Sequence, residues 1–153
     1  MFALTRNGEV LALTGRWGWF KVFFGFGVRI ELPDGDRWRI RSVGVGGAIW
    51  PVIVDSSRRK VATAGIAHGT YGINTKHGAF VFIPSGRRGA GRKRWMLRRF
   101  EEELAVVTRS PLSVEAMHPV PLGAVLMCFV LMRYGIPGES APRFPSFRWA
   151  RAG

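Results

Sequence analysis

The chain of 153 residues carries a single cysteine, Cys128. That excludes an internal disulfide framework and any multi-thiolate metal site made by this chain alone. Histidine is almost as scarce. His68, His77 and His118 fall near predicted turns or strand ends without metal-ligand spacing, and singly placed histidines are more often structural than coordinating. Carboxylates are few, with 10 Asp and Glu against 23 Lys and Arg. Asp34, Asp36 and Asp55 read as turn residues, and Glu101, Glu102 and Glu103 as counter-charges to the arginines beside them. No nucleophile–base constellation stands out, because the serines fall in turns and Cys128 lies in an apolar run where burial makes a thiol inert. No catalytic residue, metal or cofactor is expected. The opening residues, Met1-Phe2-Ala3-Leu4-Thr5-Arg6, lack a basic leader followed by a long apolar stretch, so a cytoplasmic location is expected, free in solution or peripheral to the membrane. A lone cysteine agrees with that compartment.

What is present is an ordinary globular composition, 47% apolar and 22% charged, on a strongly cationic chain of net charge +13. The length suits one domain with one core, and the apolar content argues against wholesale disorder. Nearly all the cations are arginine, since only Lys21, Lys60, Lys76 and Lys93 are lysines. Codon bias accounts for such a skew, yet each guanidinium is still a planar fork suited to phosphate. A surface of this sign attracts phosphate-rich partners, whether nucleic acid or anionic lipid.

Short apolar runs separated by turn signals recur along most of the chain. Residues 2–5 and 9–14 flank Arg6-Asn7-Gly8, and Asn-Gly favours a tight hairpin because both residues tolerate positive φ. The aromatic stretch from Trp17 to Phe26, interrupted by Gly18 and Gly25, reads as a bent strand. Residues 28–32 and 37–42 surround the turn Pro33-Asp34-Gly35-Asp36. In the second of these strands Trp38 and Ile40 alternate with Arg37, Arg39 and Arg41, giving one apolar and one cationic face. Further pairs are predicted at 49–55 with 60–66, 70–74 with 79–83, and 95–100 with 103–108. Glu101-Glu102-Glu103-Leu104 offers a helical turn as the alternative start of the last strand, and 112–117 is a weaker strand. Many short strands with regular turns indicate a meandering sandwich or barrel.

One segment breaks that pattern. Residues 120–132 are wholly apolar, bounded by Pro119 and Pro121 before and by Gly135 and Pro137 after, which are helix start and stop signals. A helix apolar all round is embedded in lipid or enclosed by protein. Thirteen residues at ~1.5 Å each span roughly 20 Å against a hydrocarbon core of ~30 Å, which favours enclosure over a membrane span. The expected organisation is one β-barrel domain over 1–135 with a core helix at about 120–133. A Pro- and Arg-rich tail over 136–153 follows, whose Phe144, Phe147 and Trp149 can pack back onto the barrel.

A strand meander followed by one wholly apolar helix resembles the tubby C-terminal-like superfamily, which includes the tubby domains, the phospholipid scramblases and the LURP-one-related proteins. The resemblance rests on 2–5 with 9–14, the strands around Pro33-Asp34-Gly35-Asp36, those around residues 56–59, and the apolar helix 120–132. It covers most of the chain by element order rather than by a diagnostic motif. It implies a mainly β fold, a closed antiparallel barrel of short meandering strands with the hydrophobic helix threaded through it or packed in it. No functional residue carries over individually, and no dense acidic loop of the scramblase calcium type follows the strands.

The densest charge feature is Arg87, Arg88, Arg92, Lys93, Arg94, Arg98 and Arg99, with no acidic residue before Glu101. Its glycines allow backbone amides and guanidinium groups to wrap a phosphate, whereas charge runs in general are often solvated loops. Trp95 follows the run directly, and with Trp17 and Trp19 it is a candidate aromatic contact to a lipid interface or a stacked base. Core packing is the competing reading for Trp17 and Trp19. Val43-Gly44-Val45-Gly46-Gly47 has the look of a phosphate loop but lacks the following helix that such a site needs. The expected function is non-enzymatic binding of anionic phosphate-bearing surfaces, phospholipid head groups first. A nucleic-acid module is the alternative, and a small single-pass membrane protein anchored by 120–132 is a third reading. Oligomeric state is not legible.

Overall fold

Consecutive amphipathic strands joined by tight turns satisfy their backbone groups most directly by pairing each with the next. A computed structural model describes residues 2–6, 9–14, 28–45, 48–67, 70–84, 94–109 and 112–134. These form one antiparallel sheet of 11 strands whose order in space is their order in sequence. The strands are β1 (Phe2–Arg6), β2 (Glu9–Thr14), β3 (Val28–Glu31), β4 (Arg37–Val45), β5 (Ala48–Val54) and β6 (Lys60–Ala67). They continue as β7 (Thr70–Thr75), β8 (Gly78–Pro84), β9 (Arg94–Arg99), β10 (Glu102–Arg109) and β11 (Leu112–Ala116), and a single helix, α1 (Leu122–Tyr134), follows. The expected bent strand from Trp17 to Phe26, the Asn7-Gly8 turn and the 136–153 tail lie outside the described residues.

Differences from the sequence reading are local and have physical reasons. β4 runs on through Val43, Gly44 and Val45, because these residues pair with Trp50, Ile49 and Ala48 of β5; the glycine at 44 sits in a ladder, not in a loop. The helical turn considered at Glu101 does not form. Glu102 pairs with Arg99 and Glu103 with Arg98, so the chain enters β10 directly after a two-residue turn. The helix starts two residues later than expected, since the Pro121 carbonyl accepts the first bonds from Ala124 N and Val125 N at 3.0 and 3.2 Å.

The side chains alternate as the pleat requires. Inward positions such as Val28, Ile30, Ile40, Ile53, Tyr71, Ile73, Phe82, Leu97 and Val107 are buried and form one core with the helix. Residues 123–132 of α1 are buried without exception. The helix touches β5, β6 and β7 and also β10, so strands three or more places apart meet the same rod and the sheet must curl around it. β1 and β11 are its edges, and among the described residues no pairing joins them. Gly123 marks the closest approach, because a Cβ there would lie 2.8 Å from Val61 Cγ1. Among the described residues no helix is long and apolar enough to cross a membrane. The apolar segment is buried among the strands over residues 123–132.

In an antiparallel meander the connections alternate between two ends. The β3–β4, β5–β6, β7–β8 and β9–β10 turns and the approach to α1 share one end, here the turn end. The chain joining β8 to β9, residues 85–93, leaves from the opposite end.

Leu126, 3% exposed, tests the enclosure. Leu126→Asp buries a carboxylate without a partner and is expected to cost several kcal/mol, enough to unfold a domain of ordinary stability. Circular dichroism and thermal unfolding should show an unfolded chain. Leu126→Met, a volume-conserving change costing less than about 1.5 kcal/mol, should remain folded.

Candidate functional site

Two turns at the turn end are built by carboxylates and then tied together. In the β3–β4 turn Gly35 takes a φ of 87°, Leu32 N donates to Asp36 O at 2.9 Å and Gly35 N to Leu32 O at 3.0 Å. In the β5–β6 turn the Asp55 carboxylate accepts from Ser57 N and Arg59 N, both at 2.9 Å. Asp36 joins the two. Its Oδ1 accepts from Arg37 N at 2.8 Å and from the Ser56 hydroxyl at 2.9 Å, and its Oδ2 accepts from Trp38 Nε1 at 3.1 Å. The Ser56 hydroxyl is the largest influence holding the Asp36 carboxyl below its usual value. The Arg37 amide adds to it, partial desolvation opposes it, and the Trp38 indole adds a smaller pull.

Beside this clasp lies an open cleft of ≈ 300 Å³, lined by Arg29 of β3, Arg37, Arg39 and Arg41 of β4, and Arg58 of the β5–β6 turn. Trp38, Val54, Asp55 and Ser56 complete its wall. The register places Arg29 directly opposite Arg39, and Arg39 in turn opposite Val54. Side chains directly opposed across a ladder are near neighbours on one face, so the register gathers these cations on the outward side of β3 and β4. Among the described residues no ion pair to a carboxylate forms at Arg37, Arg39, Arg41 or Arg58. Asp36 and Asp55 are committed to their turns, and Glu31 stands opposite Arg37 at the rim. The arrangement is a set of planar cationic forks around one concavity, suited to phosphate oxygens.

The seven cations singled out in the sequence are not gathered in one place by what is described. Arg87, Arg88, Arg92 and Lys93 lie outside the described residues, as do Trp17 and Trp19. Arg94 begins β9 at the end from which 85–93 leaves, while Arg98 and Arg99 finish the same strand at the turn end. Arg98 Nη2 donates to the Glu101 carbonyl at 3.4 Å, and the Arg99 guanidinium lies over the Phe80 ring, 5.7 Å from its centroid. The expected neutralisation by Glu101, Glu102 and Glu103 therefore takes another form. Glu102 and Glu103 stand opposite Arg99 and Arg98 in register, yet among the described residues these arginines engage a carbonyl and a ring. Trp95 is corrected as a contact candidate. It is 4% exposed, with its ring 5.8 Å from Tyr71 and 5.0 Å from Phe82, because its position in β9 points it into the core. His77 lies in the β7–β8 turn and His118 beside Glu102, and among the described residues no group of three potential ligands could hold a metal. Cys128 is buried, and burial pushes its thiol well above the ordinary range.

The cleft was half visible in the sequence. The Arg37, Arg39, Arg41 alternation announces a cationic face, but Arg29 and Arg58 join it only through strand register and the Ser56–Asp36 bond. Comparison with known proteins finds no matching family model, no matching curated protein and no matching solved structure.

The clasp has a pH signature. A carboxyl held below its unfolded value contributes stability that is present above the ordinary carboxylate range and is lost as pH falls through the folded value. Asp36→Asn is expected to lower the thermal midpoint at neutral pH. That difference from the unaltered chain should shrink towards zero as both are acidified below the folded value of Asp36, as a series of melting curves against pH would record.

Proposed function

We propose that this protein is a non-enzymatic binder of anionic phosphate-bearing surfaces, with phospholipid head groups as its ligands and the Arg29–Arg39 face as its principal contact. The observation that carries the reading is the cross-strand opposition of Arg29 and Arg39, flanked by Arg37 and Arg41 on one strand and by Arg58 on the neighbouring turn. Several guanidinium groups around one concavity can each donate to the oxygens of a single phosphate. The cleft is open to solvent, as a site for the head groups of a surface must be, and the chain's charge of +13 steers it towards such a surface. The tubby-like reading is part of the same proposal. The curl of the sheet about a helix buried over residues 123–132 supports a barrel closed by β1 and β11, acting in the cytoplasm at the membrane face. Arg87, Arg88, Arg92 and Lys93, on the connection at the opposite end, would add non-selective attraction.

Each basic side chain near an anionic bilayer contributes about 1 kcal/mol. Removing three from the cleft in Arg37→Ser/Arg39→Ser/Arg41→Ser should therefore weaken binding to acidic vesicles by about two orders of magnitude. Neutral vesicles should bind neither protein, and the thermal midpoint should barely move, because these side chains are not in the core. Vesicle co-sedimentation at near-physiological salt, beside single-stranded and duplex DNA titrations, reads the result. Undiminished vesicle binding by the triple variant would reject the cleft. Tight DNA binding with a steep salt slope and no lipid binding would replace the reading with a nucleic-acid module.

A further inference from the structure

Two large apolar side chains stand in solvent at one corner of the sheet, away from the cationic cleft. Phe100, 92% exposed, is at the tip of the β9–β10 hairpin, and Met117, 50% exposed, follows β11. Phe100 also has a φ of 53°, a left-handed conformation that suits glycine or asparagine far better than an aromatic residue. Met117 N donates to Leu104 O at 2.8 Å, and His118 Nε2 lies 3.7 Å from Glu102 Oε1. The exit of β11 is thus held against the start of β10, beside the hairpin tip.

The charge of this corner is opposite to that of the protein. Glu101, Glu102, Glu103 and Glu115 are all exposed here, on a chain with only 10 acidic residues in total. Arg98 and Arg99, opposite Glu103 and Glu102 in register, offset two of these four charges and leave the corner net negative. Apolar and negative surface together repel phosphate-bearing partners and fit a segment in which cations alternate with aromatic rings.

This chain contains such a segment. Arg143, Phe144, Phe147, Arg148, Trp149 and Arg151 follow the helix, with Glu139 as the tail's one acidic residue. Its reach is sufficient. α1 has 13 residues and runs roughly 20 Å from the turn end to the opposite end, while the nine residues 135–143, extended, span about 30 Å. The cationic cleft would repel the same segment. We infer that residues 143–151 dock on the Phe100–Met117 corner of their own chain, setting arginines against Glu101, Glu102, Glu103 and Glu115 and aromatic rings against Phe100 and Met117. Docked, the segment withdraws its cations from any anionic surface, which makes the corner an intramolecular competitor for them.

The inference is tested on the full chain carrying Ala150→Cys and a nitroxide label. Cys128 is buried with its thiol protonated, so the label goes to position 150. Amide signals of residues 100–104 and 115–118 should be broadened by the label. They should recover in Glu101→Lys/Glu102→Lys/Glu103→Lys and at about 1 M salt, where charges are screened beyond ~3 Å. Phe100→Ser, which changes no charge, should restore them in part. Thermal unfolding of each variant checks that the domain is intact, since Phe100, Glu101, Glu102 and Glu103 are exposed. Broadening absent from residues 100–104, or unchanged in the triple-lysine chain, overturns the inference. So does broadening that appears in isotope-labelled chains mixed with separate nitroxide-bearing chains, which would assign the corner to a second copy.

Discussion

The enclosure of an apolar rod by a curled sheet is the constraint on which everything else in this molecule rests. Residues 123–132 have no polar side to turn to water, so the strands must supply cover on all sides. One face of the sheet is thereby committed to the core that β5, β6, β7 and β10 share with α1, and the pleat sends the alternate residues outward. The cationic face of β3 and β4 is the reverse side of that commitment. Arg37, Arg39 and Arg41 point outward because Ile40 and its inward neighbours are required against the core.

The same logic explains why the cleft lies at a turn and not in the middle of the sheet. A flat row of arginines would present a line of charge with no concavity. The Asp36 carboxylate, bonded to Ser56 across 20 residues of sequence, pulls the β5–β6 turn over the β3–β4 edge and sets Arg58 beside the row. An acidic residue is here the organiser of a basic site. It engages amide, hydroxyl and indole donors, and among the described residues no carboxylate pairs with Arg37, Arg39, Arg41 or Arg58.

Much of the fold was legible because its signals are local. Pro33-Asp34-Gly35-Asp36 carries its own hydrogen-bond chemistry, and the apolar run after Pro121 has helix boundaries written into it. Where expectation and structure part, the deciding partner is distant in sequence. Gly44 looks like a loop residue until Ile49 pairs with it. Trp95 looks like part of a cationic surface motif until the parity of β9 turns it towards Tyr71 and Phe82. The candidate site shows this most plainly. Its row on β4 can be read from an alternation, but the opposition of Arg29 to Arg39 is a matter of register, and no local pattern of residue types sets register before the strands meet.

The order of the sheet bears on how the protein comes into being. Each strand pairs with its immediate predecessor, so hairpins can form one after another, with longer loops to close only at 15–27 and 85–93. α1, which fills the interior they build, is made after all of them. At about 5–20 residues per second, the strands emerge over seconds with their inward-facing Ile, Phe and Tyr side chains lacking the surface they will finally cover. A nascent sheet of this kind is an open gutter with a greasy lining. Its solubility until the last turns of helix arrive rests on its outward arginines, whose shared charge keeps neighbouring unfinished chains apart.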